Sequence, residues 1–145
     1  MSFSKAALAL VLALAIHQAI GPDQALVADA CIDFFPKFTT IVENQMGYPI
    51  RVHCKSKDND MGEHILDNFG DVTQFSFRSN IFGKTRFWCD VLWEGLWKVY
   101  DAFVDRRDYY RCLHNDCKCH WGITPQGPCL YNVDTNKFDM CEPWR

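Results

Sequence analysis

Cysteines and histidines dominate the reactive side chains of this chain. Eight cysteines (Cys31, Cys54, Cys89, Cys112, Cys117, Cys119, Cys129 and Cys141) lie beyond the first thirty residues, together with four of the five histidines. The densest cluster is Cys112-Leu-His-Asn-Asp-Cys117-Lys-Cys119-His120. Thiolates and imidazoles so close together are the ligand types of zinc, but a structural zinc site draws on two converging halves, and no second Cys-x-x-Cys follows. An even cysteine count in an exported chain reads instead as a disulfide framework, with roughly a hundred possible connectivities.

Histidine pairs can run acid–base hydrolysis. His53, His64, His114 and His120 are the candidates, and each sits among strand-like or cysteine-flanked residues without a recognisable catalytic motif. The Gly95-Leu96-Trp97 run has no neighbouring histidine or following proline to make it a ribonuclease signature. No Gly-x-Ser-x-Gly nucleophile turn occurs. Lys57-Asp58-Asn59-Asp60 is rich in oxygen ligands, yet lacks the alternating ligands and terminal Glu of a calcium loop. The expectation is a protein with no catalytic residue, no metal and no cofactor.

The compartment follows from the opening residues. Lys5 precedes an apolar run, Ala6–Ile16, of signal-peptide length, and Ala28-Asp29-Ala30 offers small residues for cleavage. The run is too short for a bilayer, which needs roughly 20 apolar residues. Residues 1–30 are therefore expected to be a signal peptide, with cuts near Ala19 or Ala25 as alternatives, and residues 31–145 a single mature domain. Its formal charge of about −2 excludes nucleic acid as a main partner, because backbone binding requires a large basic excess. Nothing after the signal is long enough to insert in a membrane, and a monomer is expected.

The elements that carry these residues read as strands. Ile50-Arg51-Val52-His53-Cys54 and Phe75-Ser76-Phe77-Arg78 alternate apolar and polar, as half-buried strands do. Phe87–Trp93 and Leu96–Tyr100 flank Glu94-Gly95, a hairpin signal. His120–Thr124 and Cys129–Val133 continue the series, with further strands near Thr39–Glu43 and Ile65-Leu66. Gly-, Asn-, Asp- and Pro-rich joints separate them. The expected fold is all-β: a disulfide-reinforced β-sandwich of about eight short, mainly antiparallel strands.

Three blocks then carry a family resemblance. The first is Val42-Glu43-Asn44 with Ile50–Gly62, in which His53-Cys54-Lys55-Ser56 leads into an acidic turn ending in Gly62. The second is Phe75–Arg78, Phe82-Gly83-Lys84-Thr85-Arg86-Phe87-Trp88-Cys89 and Trp93. The third is Cys119-His120-Trp121 with Gly127, preceded by Asp105 to Cys112. Together they resemble the plant self-incompatibility S-protein homologues. The resemblance implies a secreted, disulfide-held β-sandwich acting as a ligand for an unidentified cell-surface protein or receptor. Cys31, Cys129 and Cys141 are additional to the common pattern. The expected bridges are Cys54–Cys119, Cys89–Cys112, Cys31–Cys141 and Cys117–Cys129.

A recognition protein works through its loops. Asp105-Arg106-Arg107-Asp108-Tyr109-Tyr110-Arg111 mixes Arg and Tyr, the side chains enriched at binding hot spots, so Asp105, Arg106, Arg107, Asp108 and Tyr109 are the expected partner-binding loop. The Lys57, Asp58, Asn59, Asp60 turn is a second candidate. Two alternatives are a secreted histidine-dependent hydrolase or toxin-like effector, which needs His114 and His120 in one cleft, and a carbohydrate-binding module, which needs aromatic rings exposed side by side.

Overall fold

Alternation in the sequence becomes alternation in burial in the computed structural model, which describes Cys31, residues 34–80 and residues 82–145. The expected signal peptide, residues 1–30, lies outside the described residues. The elements in order are β1 (Lys37–Asn44), β2 (Ile50–Lys55), β3 (Asp60–Leu66), β4 (Val72–Arg78), β5 (Arg86–Trp93), β6 (Leu96–Val104), α1 (Asp105–Leu113), β7 (Lys118–Thr124), β8 (Gly127–Asn132) and β9 (Lys137–Cys141). A five-stranded sheet has the order β4-β1-β7-β8-β9 and a four-stranded sheet the order β3-β2-β5-β6. The chain crosses between the sheets after β1, β3, β4 and α1. These crossings leave β1 and β7 as parallel neighbours, with Val42 beside Trp121.

The core lies between the sheets. Phe38 and Val42 of β1, Val52 of β2, Val91 of β5, Tyr100 and Phe103 of β6, and Trp121 and Ile123 of β7 are fully buried. Phe77 and Phe87 bring rings from opposite sheets to a 4.5 Å centroid separation, inside the preferred range for aromatic pairs. Asn44 is the one fully buried side-chain amide among the described residues, and it is satisfied. Its Nδ2 donates to the carbonyls of Tyr48 and Leu66, and its Oδ1 accepts from the Met46 N–H at 2.8 Å. One side chain thus pins the end of β1 to the end of β3, which explains an amide at the close of an apolar strand.

Glu94-Gly95 closes a two-residue hairpin between β5 and β6, with φ of 47° and 76°. Both signs suit the right-handed twist of the flanking strands. At Gly122 the constraint is space instead. A Cβ there would lie 2.8 Å from Phe138 Cδ1 and 3.1 Å from Gln45 Cγ. Gly122→Ala is expected to cost about 1–3 kcal/mol by overpacking, read as a lower midpoint in urea with an unchanged slope.

The four bridges differ from those expected. They are Cys31–Cys117, Cys54–Cys89, Cys112–Cys119 and Cys129–Cys141, and they leave no free cysteine. None of Cys54–Cys119, Cys89–Cys112, Cys31–Cys141 or Cys117–Cys129 forms. Strand register decides this. Cys54 stands directly opposite Cys89 across β2 and β5, and Cys129 opposite Cys141 across β8 and β9. Cys112 ends α1 just where β7 brings Cys119 back beneath it. The strand β9, absent from the reading of strands in the sequence, is what carries Cys141 to Cys129.

Candidate recognition surface

The segment expected to be a partner-binding loop is a helix, and its acids face inward. α1 buries Asp105, Asp108 and Cys112. The Asp108 carboxylate accepts the N–H of Val104, the residue capping the helix, at 2.8 Å. Asp105 accepts the Ser79 hydroxyl at 2.5 Å and the Thr85 N–H at 2.7 Å, which bolts the start of α1 to the β4–β5 loop. Acids in the first turn and Arg111 in the last also suit the helix dipole.

Arg107 and Arg111 are equally committed. Arg107 donates twice to Asp108, at 3.0 and 2.8 Å, and also to the Asp101 carbonyl. Arg111 reaches Asp108 at 2.7 Å and Glu142 at 3.1 Å. Both guanidinium groups lie over the buried Trp121 ring, at 5.3 and 5.6 Å. Of the five expected contact residues, then, Asp105, Arg107 and Asp108 build the scaffold. Arg106 is exposed and Tyr109 half-buried, so these two reach the surface.

They do so beside an aromatic groove of about 390 Å³. Its walls include Phe34, Phe35, Arg106, Tyr109 and Tyr110. Phe34 is 86% exposed and Tyr110 79%, and Phe82, on the adjoining loop, 75%. These are the most exposed large apolar side chains among the described residues. The aromatic pairs meet edge-on rather than flat: Phe34 and Phe35 at 87°, Tyr109 and Tyr110 at 72°. They form no coplanar platform of the kind that stacks a neutral sugar chain.

The second candidate, the turn at Lys57–Asp60, divides in two. Asp60 is spent on the turn itself, accepting the Gly62 N–H at 2.8 Å and meeting His53 Nε2 at 2.5 Å. The Gly62 hydrogen bond first, and then His53, hold its carboxyl below the ordinary carboxylate value. The turn is therefore supported by this carboxylate above that range and loses the support as pH falls through the lowered value. Lys57, Asp58 and Asn59 line a separate cleft that runs to Lys84, Arg86 and Trp88. Asn80, on the β4–β5 loop, lines both this cleft and the aromatic groove. The two candidate segments, distant in sequence, thus flank one loop at one end of the sandwich.

The histidines do not gather. His53 meets Asp60, His64 the Met61 carbonyl, His114 Asp134 and His120 Glu43. Each has its own partner, and no hydrogen bond among the described residues links two of them. The Cys–His cluster offers no thiolate either, since Cys112, Cys117 and Cys119 are all bridged.

Sequence reasoning missed Phe34 and Phe35 of the aromatic groove, and the exposed Phe82 on the loop beside it. Their signal was present as bulky apolar residues outside any alternating strand.

A two-sheet sandwich cross-linked by four disulfides defines the class. The chain belongs to the plant self-incompatibility protein S1 family, whose model matches residues 39–144. It is 36% identical over 113 residues to S-protein homolog 2 of Arabidopsis thaliana, covering 74% of this chain and 68% of that protein. To S-protein homolog 3 of the same plant it is 38% identical over 98 residues, covering 68% and 65%. Self-incompatibility protein S1 of Papaver rhoeas is 35% identical over 105 residues, covering 70% of this chain and 71% of that protein. The aligned part thus spans about two thirds of these relatives' lengths. The fold is similar to a solved structure of SPH (Self-Incompatibility Protein Homologue) proteins, described as a widespread family of small, highly stable, secreted proteins from plants. That likeness has a TM-score of 0.51 and 17% identity, and covers 77% of this chain and 97% of that one.

Proposed function

We propose that this chain is a secreted, non-enzymatic recognition protein of the S-protein type, which binds a protein at a plant cell surface through the groove beside α1. Residues 1–30 are its signal peptide and residues 31–145 its mature, monomeric domain. Secretion accords with the pairing of all eight cysteines, which belongs to an oxidising compartment. The observation that carries the binding role is the concentration of exposed rings around Arg106 at one end of a rigid scaffold. Exposed apolar patches rimmed by polar groups mark interaction sites, and Tyr and Arg anchor them. Four bridges hold the loops beforehand, so little ordering entropy remains to be lost on binding.

The test is saturable binding of the labelled mature protein to intact plant cells, with protease-treated cells as comparison. The Arg106→Ala/Tyr110→Ala variant removes two surface side chains and is expected to weaken binding by at least about tenfold with unchanged thermal stability. Equal binding by variant and parent would overturn this assignment. Arg107→Ala is unsuitable as a probe, because Arg107 is held on Asp108 and over Trp121.

A further inference from the structure

The cleft between the β2–β3 turn and the β4–β5 loop has a chemistry of its own. At about 670 Å³ it is of ligand-pocket size. The chain carries a net charge of −3, yet this cleft collects Lys57, Arg78, Lys84 and Arg86 against one carboxylate, Asp58, with Arg78 donating to the Phe35 carbonyl. Arg86 spends Nε and Nη2 on Asp101. Lys57 and Lys84 are exposed and have no ion-pair partner among the described residues, so two ammonium groups are available to an anionic ligand.

The neutral polar groups point to the same ligand. Ser56 Oγ already accepts the Asn59 N–H at 3.1 Å, Thr85 Oγ1 the Asn80 N–H at 2.6 Å, and Asn80 Oδ1 the Phe82 N–H at 2.8 Å. The turns have used these side chains as acceptors. Beside one remaining lone pair on each oxygen, they keep two hydroxyl hydrogens and an amide NH₂ as donors. The cleft is therefore donor-rich and cationic, and its complement is rich in acceptors and negatively charged. Trp88, half-buried, adds an indole to the wall. An indole packs against the C–H face of a pyranose ring while the polar groups around it bind the hydroxyls.

We propose that this cleft binds an acidic oligosaccharide, a run of uronate sugars whose carboxylates meet Lys57 and Lys84 and one of whose rings packs on Trp88. Binding of a charged polysaccharide is a second activity, separate from protein recognition at the aromatic groove and independent of it. The two surfaces share the β4–β5 loop, so a chain held by matrix sugar still presents the Arg106 end.

Calorimetric titration of the folded mature protein with an oligogalacturonide tests this. Binding is expected, weakening as salt rises, since exposed charges are screened. The fully methyl-esterified oligosaccharide, which keeps the rings and loses the charge, should not bind. Lys57→Gln/Lys84→Gln should weaken binding on the order of tenfold, and the charge-matched Lys98→Gln/Lys137→Gln should leave it unchanged. Near-UV circular dichroism checks that each variant is folded. No binding, equal binding of the ester, or indifference to Lys57→Gln/Lys84→Gln would overturn the proposal. Equal or tighter binding of a poly-glutamate peptide would overturn the sugar assignment and make the cleft a site for acidic protein segments. None of these outcomes depends on whether Arg106→Ala/Tyr110→Ala alters cell binding, so the two sites stand or fall separately.

Discussion

Asp108→Ala is expected to cost about 3–5 kcal/mol of stability, the range for breaking a buried ion pair by removing one partner. Asp108 is fully buried and serves three groups at once: the Val104 N–H, Arg107 and Arg111. Truncation leaves the start of α1 without its acceptor and two half-buried cations without their shared counter-charge. Little is available to replace it. Arg111 Nη2 is already buried without a hydrogen-bond partner, so the guanidinium has no spare acceptor nearby. The contacts over Trp121 continue to favour the cations, but such contacts are worth only about 0.5–2 kcal/mol each. Urea unfolding of Asp108→Ala should show the loss as a lower midpoint, with Asp108→Asn in between. A loss under about 1 kcal/mol would mean that the network merely fills space. Replacing all three charges together, as Arg107→Met/Asp108→Leu/Arg111→Met, should recover part of the loss, because a well-packed apolar set carries no desolvation cost.

Opening the Cys31–Cys117 bridge is the second large effect. That bridge spans 86 residues in sequence, whereas Cys112–Cys119 spans 7. If cross-links act mainly by restricting the unfolded chain, the long loop is worth about 4.5 kcal/mol and the short one about 2.4 kcal/mol. Cys31→Ser/Cys117→Ser should therefore be the less stable of the two double variants by about 2 kcal/mol, measured by urea unfolding with the other bridges intact. The structure adds a local reason. Cys31 joins the start of the described chain to the turn before β7, and no strand pairing holds it there. Equal losses from the two variants would show that native-state contacts, rather than loop length, set the worth of these bridges.

The same residues show what was legible beforehand. The strands were, because each buries one face: Phe87, Cys89 and Val91 of β5 are buried as their spacing requires. The Glu94-Gly95 hairpin was, because the residue types match the turn. The helix was not. α1 has a helical stripe, Asp105, Asp108 and Cys112 at spacings of three and four, but two of its three members are charged. A search for apolar periodicity passes over a face that buries carboxylates, and those carboxylates are tolerable only because Arg107 and Arg111 of the same helix meet Asp108 while Ser79 and Thr85 arrive from the β4–β5 loop to meet Asp105. The candidate site divides in the same way. Arg106 and Tyr109 were singled out by type and do reach the surface, but their neighbours Phe34 and Phe35, ahead of β1, and Asn80, on the β4–β5 loop, are brought beside them only by the tertiary structure.

Side-chain alternation, the turn residues and the even thiol count are local properties, written in each segment, and from them follow the two-sheet interior and the fact of cross-linking. Which thiols meet, which carboxylates turn inward, and which loops share one end depend on strand order and register. Those arise from how the sheets exchange strands: β1 leaves for β2, and β7 returns beside it in parallel. Contacts between segments far apart in the chain depend on the joint packing of all of them, and no single stretch of residues encodes that.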